Sequence, residues 1–228
     1  MRRRVCSLIV TTAALAVAAL TLALGGLAAL ADKEQIHLTA ADQAFARATV
    51  VKKSDLGTVG TWTGGSVKPD LGSAPPCASF QPKQSDLVLT GAAETKFKQP
   101  GIEFDSEAQV LRTAQMVKLD WQRTVIAPGL LPCLRTVLAK SSGPTTTVVS
   151  VRRIAFPHVS QYAAAIRVLL DVKVGSSTVP VRAFVDIVFV GHGRTEISLT
   201  TTALLLNDTV TRAAEARLAL IMAARAPA

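Results

Sequence analysis

Apolar residues alternate with mixed residues along the C-terminal half of the chain. Between Tyr162 and Val174 every second residue is apolar, and the runs 179–189 and 195–203 repeat this alternation. A period of two is typical of β-strands that place one face in a core and the other nearer water. The run 148–156 alternates less regularly but is rich in β-branched residues, so it predicts a further strand.

The links between these runs are short, which restricts how neighbouring strands can pair. A Gly-Ser-Ser link at 175–177 and a Gly-His-Gly link at 191–193 supply glycine where a tight turn needs a positive φ. A parallel pair would need a crossover of about a dozen residues. The pattern therefore predicts an antiparallel four-strand meander between residues 145 and 205.

The remaining segments predict one more hairpin and several helices. The runs Leu87 to Lys98 and Ile102 to Leu111 flank a Pro-Gly turn, and both carry charge, as expected of a hairpin at a water-exposed sheet edge. Helical periodicity is found over about 39–50, 116–125, 131–140 and 207–225. Residues 32–38 and 52–83 show no period and are expected to be irregular.

Strand runs and helix runs are segregated along the chain, which predicts the α+β class. We expect one antiparallel β-sheet of about six strands, with the C-terminal four-strand meander, packed with helices. Ala41, Ala44, Phe45 and Ala48 share one side of the first helix and are expected to pack. With 228 residues and 49% hydrophobic content, residues 32–228 are expected to form a single domain.

Residues 1–31 have the composition of a secretory signal peptide. Arg2, Arg3 and Arg4 precede a long apolar run that ends in Ala29-Leu30-Ala31. This pattern predicts cleavage before Asp32 and a secreted or extracytoplasmic protein. The alternative is an uncleaved N-terminal anchor, because the apolar run is nearly long enough to span a bilayer. The protein would then contact a membrane only through residues 5–31.

The charge of the mature chain argues against a nucleic-acid partner. Removing the three leader arginines leaves 22 basic against 16 acidic residues, a net charge of +6. The basic residues are dispersed, and aromatic residues make up only 4% of the chain. Nucleic-acid binding favours clustered cations interleaved with aromatics.

Two cysteines follow the leader, Cys77 and Cys133. In an exported protein such a pair most simply forms one disulfide. The alternative is a metal-binding or catalytic pair of thiols, but no further ligand residue lies near either cysteine in the sequence.

The sequence contains no familiar catalytic motif, no P-loop and no dinucleotide-binding fingerprint. Its three histidines, His37, His158 and His192, fall in the N-terminal tail and in meander turns, where we expect solvated side chains. We therefore expect no metal site, no cofactor and no enzymatic activity.

Charged residues also occur on the second side of the meander. Arg167, Asp171, Arg182 and Asp186 occupy neighbouring strands, so a cross-strand ladder of opposite charges is expected. The functional alternative is a polar binding face on which Arg167 and Arg182 meet an anionic ligand.

The layout resembles a group of actinobacterial-type exported proteins that includes the extracellular sensor domains of certain Ser/Thr kinases. The similarity covers residues 39–225 and consists of Lys52-Lys53-Ser54-Asp55-Leu56 ahead of Trp62, the two cysteines, and the closing meander and helix. The resemblance implies an antiparallel sheet packed with helices, bridged by disulfides. It also implies small-molecule binding between sheet and helices, although this chain contains no kinase domain.

These observations favour an exported, non-catalytic binding or sensing domain at the cell envelope. Its partner would be a small apolar ligand or an envelope protein. The alternatives are an envelope structural or assembly protein that acts through protein contacts, and a hydrolase with an unrecognised site.

Overall fold

The computed structural model describes residues 32–58, 60–71, 77, 80–173, 179–205 and 208–227. The expected leader at 1–31 and the Gly-Ser-Ser link at 175–177 lie outside the described residues.

Eight strands and four α-helices make up the described part of the chain. The strands are β1 (Gln35–Ile36), β2 (Thr63–Val67), β3 (Val88–Gln99), β4 (Ile102–Leu111), β5 (Thr146–Ile154), β6 (Tyr162–Val172), β7 (Val181–His192) and β8 (Thr195–Leu204). The helices are α1 (Ala40–Thr49), α2 (Ala114–Asp120), α3 (Leu130–Ser141) and α4 (Asp208–Arg225). A 3-10 turn spans Lys53–Leu56, and a π-helical turn, Trp121–Val125, continues α2.

All strands belong to one sheet with the order β1-β3-β4-β8-β7-β6-β5, and β2 also pairs with β3. The predicted meander is confirmed, since β5 to β8 pair as consecutive antiparallel neighbours. The predicted β3–β4 hairpin is also confirmed, and antiparallel pairing of β4 with β8 joins it to the meander. The α+β class is therefore correct.

The prediction of about six strands was too low, because two short strands lie in segments without alternation. The two-residue β1 pairs in parallel with β3, within the segment that was expected to be unstructured. β2 has the sequence Thr-Gly-Gly-Ser-Val and pairs antiparallel with β3. At Gly64, where φ is 121°, an added Cβ would lie 2.0 Å from the Lys96 carbonyl oxygen. Here glycine permits the close approach of the two strands, and it also removes the hydrophobic signal of a strand.

The β3–β4 hairpin is not an exposed edge, which corrects the prediction. β4 is an interior strand between β3 and β8, and β1 and β2 occupy the outer edge of β3. The charged residues of β4 project from one face of the sheet instead.

Helices cover both faces of the sheet. On the first, which we call the α4 face, Val188, Val190, Ile197 and Leu199 form a core with the buried side of α4. On the opposite face, the α3 face, the alternate residues of β6 and β7 pack beneath α3. Part of the meander face that was expected to lie nearer water is therefore buried, because α4 packs on Val188, Val190, Ile197 and Leu199.

The buried side of α1 is also different from the predicted one. Asp42, Ala46 and Thr49 face the sheet, whereas Ala41, Ala44, Phe45 and Ala48 are exposed. Polar contacts set this orientation. The Asp42 carboxylate accepts a hydrogen bond from Arg194 at 2.9 Å, and the Asp42 N–H donates to the capping Thr39 hydroxyl.

Candidate functional site

The four charged residues predicted on the meander form two cross-strand ion pairs, as the ladder prediction expected. Arg167 lies opposite Asp186, and Asp171 lies opposite Arg182. Arg167 Nε donates to Asp186 Oδ1 at 2.7 Å, and Arg182 Nε donates to Asp171 Oδ1 at 2.7 Å. Both guanidinium groups also donate a second hydrogen bond to the other carboxylate oxygen. Opposite register positions on antiparallel strands produce this bidentate geometry.

The start of α4 closes over the inner pair. Arg167 is 5% exposed and Asp186 is fully buried. A nitrogen of Arg167 lies 2.7 Å from Asp208 at the first turn of α4, and its guanidinium carbon lies 4.3 Å from the centre of the Phe184 ring. A ligand on the outside could therefore reach only the outer pair, of which Arg182 is 46% exposed at its side chain. The polar binding face stays a prediction for that pair.

Glu215 adds a further carboxyl beneath α4. The residue is 1% exposed, and its Oε1 has no hydrogen-bond partner within the described residues. Burial raises the pKa of Glu215 to about 8, with a further contribution from the Asp186 charge, while Thr201 and Arg167 act to lower it. The helix thus covers Arg167, Asp186 and Glu215, while Asp208 at its first turn remains 39% exposed at its side chain.

The α3 face is different, because some of its side chains are only partly buried and because their polarity changes from strand to strand. Ile187 and Phe189 of β7 are apolar and only partly buried. Their register partners on β8 are Thr200 and Ser198, which in turn lie opposite carboxylates of β4. These carboxylates are Asp105, opposite Thr200, and Glu107, opposite Ser198. Across these neighbouring strands the surface therefore passes from apolar groups through hydroxyls to carboxylates.

The partly buried side chains of α3 border the apolar end of this surface. Leu130, Leu131 and Leu134 pack against the core cluster without being fully covered. We call the combined surface of partly exposed β7, β8, β4 and α3 side chains the amphipathic face. It consists of Ile187, Phe189, Ser198, Thr200, Asp105, Glu107, Leu130, Leu131 and Leu134.

Both carboxylates of this face have a pKa that is raised towards 7. Burial raises the pKa of Glu107 to about 7, helped by the charges of Glu94 and Asp105 and opposed by a hydrogen bond from Gln109. Burial also raises the pKa of Asp105 to about 6, despite Lys96, whose Nζ lies 3.0 Å away. Each carboxylate is therefore sensitive to any group that approaches it near pH 7.

A second group of carboxyls lies between Asp120, the last residue of α2, and the start of β8. Burial raises the pKa of Glu196 well above its usual range, and the nearby Asp120 and Glu34 raise it further.

Trp121 in the π-helical turn stacks on Tyr162 of β6, with ring centres 5.3 Å apart. Short π-helical turns within helices often occur at functional sites. Tyr162 lies two residues before Ala164, the register partner of Phe189, so the aromatic pair borders the amphipathic face next to Phe189.

A disulfide joins Cys77 to Cys133 of α3, as predicted, with a Cα–Cα distance of 5.6 Å. Both cysteines are buried with Val137 and the partly buried Phe80. The disulfide fits an extracellular location. None of the helices described in 32–227 combines the length and apolar character that crossing a bilayer requires. In the same part of the chain, no group of three or more His, Cys, Asp or Glu residues is placed to hold a metal ion.

Sequence reasoning missed the carboxylate part of the amphipathic face, although its signal was present. Glu103, Asp105 and Glu107 are spaced by two residues, so they project from the same face of β4. That spacing was interpreted as a solvated edge, because the pairing of β4 with β8 joins strands about 90 residues apart in the chain.

No protein-family model matches the chain, and no curated protein matches it. Among solved structures, the chain is similar to an uncharacterized protein of Mycobacterium smegmatis, described as the Rv0999 ortholog. The two share 12% identity with a TM-score of 0.44, and the match covers 81% of this chain and 98% of that chain. A similarity of this degree carries no inference about function. The resemblance to kinase sensor domains is not confirmed.

Proposed function

We propose that this protein is an exported, non-catalytic binding domain that takes a small amphipathic molecule on its amphipathic face. The observation that carries the proposal is the passage from partly exposed apolar groups to carboxylates across neighbouring strands. Ligand sites commonly combine apolar lining with a few polar groups that orient the ligand. The apolar part of such a ligand would contact Ile187, Phe189 and α3, and its polar part would meet Thr200 and Glu107.

Two further observations support binding without turnover at the cell envelope. The sequence contains none of the familiar catalytic motifs, and the disulfide fits an extracellular location. The secretory leader predicted for residues 1–31 agrees with such a location.

The two tryptophans of the chain provide a direct test. Trp121 is half-buried beside Tyr162 on the α3 side, whereas Trp62 is buried on the α4 face, with its ring tilted against that of Phe104. A Trp62→Phe variant reports fluorescence from Trp121 alone, and a Trp121→Phe variant reports from Trp62 alone. Titration with lipids and cell-wall fragments should change the Trp121 signal and leave the Trp62 signal nearly constant.

Site variants sharpen this test. Phe189→Ala should weaken binding about tenfold, because it removes a large apolar contact. Leu220→Ala is the matched control, since Leu220 is an exposed apolar residue on the other side of the molecule, on α4. Turnover of any bound compound by the pure protein would reject a non-catalytic role. Equal weakening by both substitutions would reject the amphipathic face as the site.

A further inference from the structure

Strand β5 forms an edge of the sheet. Among the described strands it pairs only with β6, whereas β1 and β2 cover the outer edge of β3 at the opposite end of the sheet. In an antiparallel pair only alternate residues bond to the neighbouring strand, and the others direct their N–H and C=O groups away from it. The Thr145 carbonyl accepts from the Lys173 N–H, so in this register the main-chain groups of Val148 point away from β6.

The first part of this edge is uncharged and rich in residues that favour strands. The stretch from Thr145 to Val151 contains only Thr, Val and Ser, without a charged residue or a proline. Val149 is 42% exposed, at the point where the register with β6 shifts between Val148 and Ser150. An exposed edge of this composition is a template for the addition of another strand.

The last part of the same edge is basic. Arg152 and Arg153 are exposed and, as successive residues of a strand, project from opposite faces of the sheet. Arg212 of α4 adds a third exposed cation, since its guanidinium group donates to the Ala155 carbonyl just beyond β5. Cations therefore lie on both faces of the sheet at this end of β5.

Acidic residues are scarce in this part of the molecule. Residues 121–170, which include α3, β5 and most of β6, contain no Asp or Glu. The Asp208 carboxylate lies near the end of β5, but it is already paired with Arg167 at 2.7 Å. Its hydrogen bond with Arg167 lowers its pKa, and the charges of Arg212 and Arg152 lower it further. The positive charge at the end of β5 is therefore not balanced within the chain.

We propose that the open edge of β5 binds an extended acidic segment of a partner protein as an additional antiparallel strand. Main-chain hydrogen bonds to the uncharged part of β5 would supply affinity, as in other cases of strand addition. Carboxylates at the N-terminal end of the segment would meet Arg152 and Arg153. An antiparallel direction matches the rest of the meander and is slightly the more stable pairing. A second copy of this chain fits less well, because its own β5 edge contains the same cations.

Three synthetic peptides test the proposal by fluorescence anisotropy with the pure protein. The first is Glu-Glu-Thr-Val-Thr-Val-Thr, which should bind saturably at concentrations up to about 1 mM. The second has Lys-Lys in place of Glu-Glu and should bind at least about tenfold more weakly. The third is the acidic peptide with alternate N–H groups methylated on the edge that would face β5, and it should also lose about tenfold or more.

One protein variant and its control locate the site. Arg152→Glu should weaken the acidic peptide about threefold to tenfold and should strengthen the lysine peptide. Arg152 is preferred to Arg153, which also donates to the Val125 carbonyl. Arg47→Glu changes the net charge equally, lies on α1 over β3 and β4, and should bind both peptides like the wild type. Amide hydrogen exchange should slow in β5 when the acidic peptide binds and should stay unchanged in β2.

Several results would overturn the proposal. These are failure of the acidic peptide to bind, equal binding of the lysine peptide, and undiminished binding of the methylated peptide. The last result would indicate attraction between charges without strand addition. A dimer of the protein that protects the β5 amides in the absence of peptide would assign the edge to a second copy of the chain. The peptide comparisons use the wild-type protein, so they decide the question even if Arg152→Glu is unfolded.

Discussion

Replacing Glu215 with glutamine should make the stability of this protein less dependent on pH. The folded carboxyl has a pKa of about 8, against an ordinary value of 4.5. Between these two values the folded state keeps a proton that the unfolded chain has released. The contribution of Glu215 to stability is therefore fully present below about pH 4.5 and is lost as the pH rises towards 8.

The size of the effect follows from these pKa values. Each pH unit within the window costs about 1.4 kcal/mol, so raising the pH from 5 to 7 costs about 2 to 3 kcal/mol through this one group. The amide of glutamine has nearly the same shape and does not titrate. We therefore expect the stability of Glu215→Gln, relative to the wild type, to rise by about that amount from pH 5 to pH 7.

Urea unfolding of both proteins at pH 5, 6, 7 and 8 measures this difference. The groups facing Glu215 are Asp186, Arg167 and Thr201 from the sheet, and Arg212 and Asp208 from α4 itself. Because all remain in the variant, their contributions largely cancel in the comparison. Leu218→Ala is the control, since it removes a buried apolar group from α4 and should cost about 2–5 kcal/mol equally at each pH. A Glu215→Gln difference that stays constant between pH 5 and pH 7 would refute the reasoning.

Three further outcomes can be measured in the same urea assay. Arg167→Met should cost about 3–5 kcal/mol because it leaves the buried Asp186 carboxylate without its ion-pair partner, whereas Arg182→Met at the exposed pair should cost less than about 1 kcal/mol. Equal losses would contradict the conclusion that the first pair is buried and the second exposed. Gly91→Ala should cost about 1–3 kcal/mol or more, since its Cβ would overlap the backbone of α1, and Gly65→Ala, with nothing within 4 Å, should be nearly neutral. Reducing the disulfide should cost about 2–4 kcal/mol, and full retention of stability under reductant, with free thiols confirmed by alkylation, would contradict a structural role.

The two ion pairs of the meander show what residue spacing can predict and what it cannot. Arg167, Asp171, Arg182 and Asp186 were expected to form a ladder because a short link between strands sets their register, and the structure has that ladder. The sequence did not show that one pair would be buried and the other exposed. That difference comes from α4, which begins beyond β8 and crosses the sheet at the inner pair only.

The amphipathic face illustrates the opposite case. Its β7 and β8 parts lie in the predicted meander, but its carboxylates come from β4, which reaches β8 through pairing of distant segments. Local periodicity does not tell which distant segments pair, so the neighbours of Glu107 in the sheet could not be predicted. Strands β1 and β2 were missed for the same reason, since their pairing with β3 depends on long-range contacts.

Sequence alone was sufficient for the meander, the β3–β4 hairpin, the extents of the helices and the pairing of Cys77 with Cys133. These features depend on local alternation, short turns and the scarcity of cysteines. Tertiary structure decided which side of each helix is buried, and it turned Phe45 of α1 outward and Glu215 of α4 inward. The physical reason is that the orientation of a helix depends on all of its contacts, including those with residues far away in the sequence. The ion pair between Asp42 and Arg194 and the closure over Arg167 join residues that are far apart in the chain.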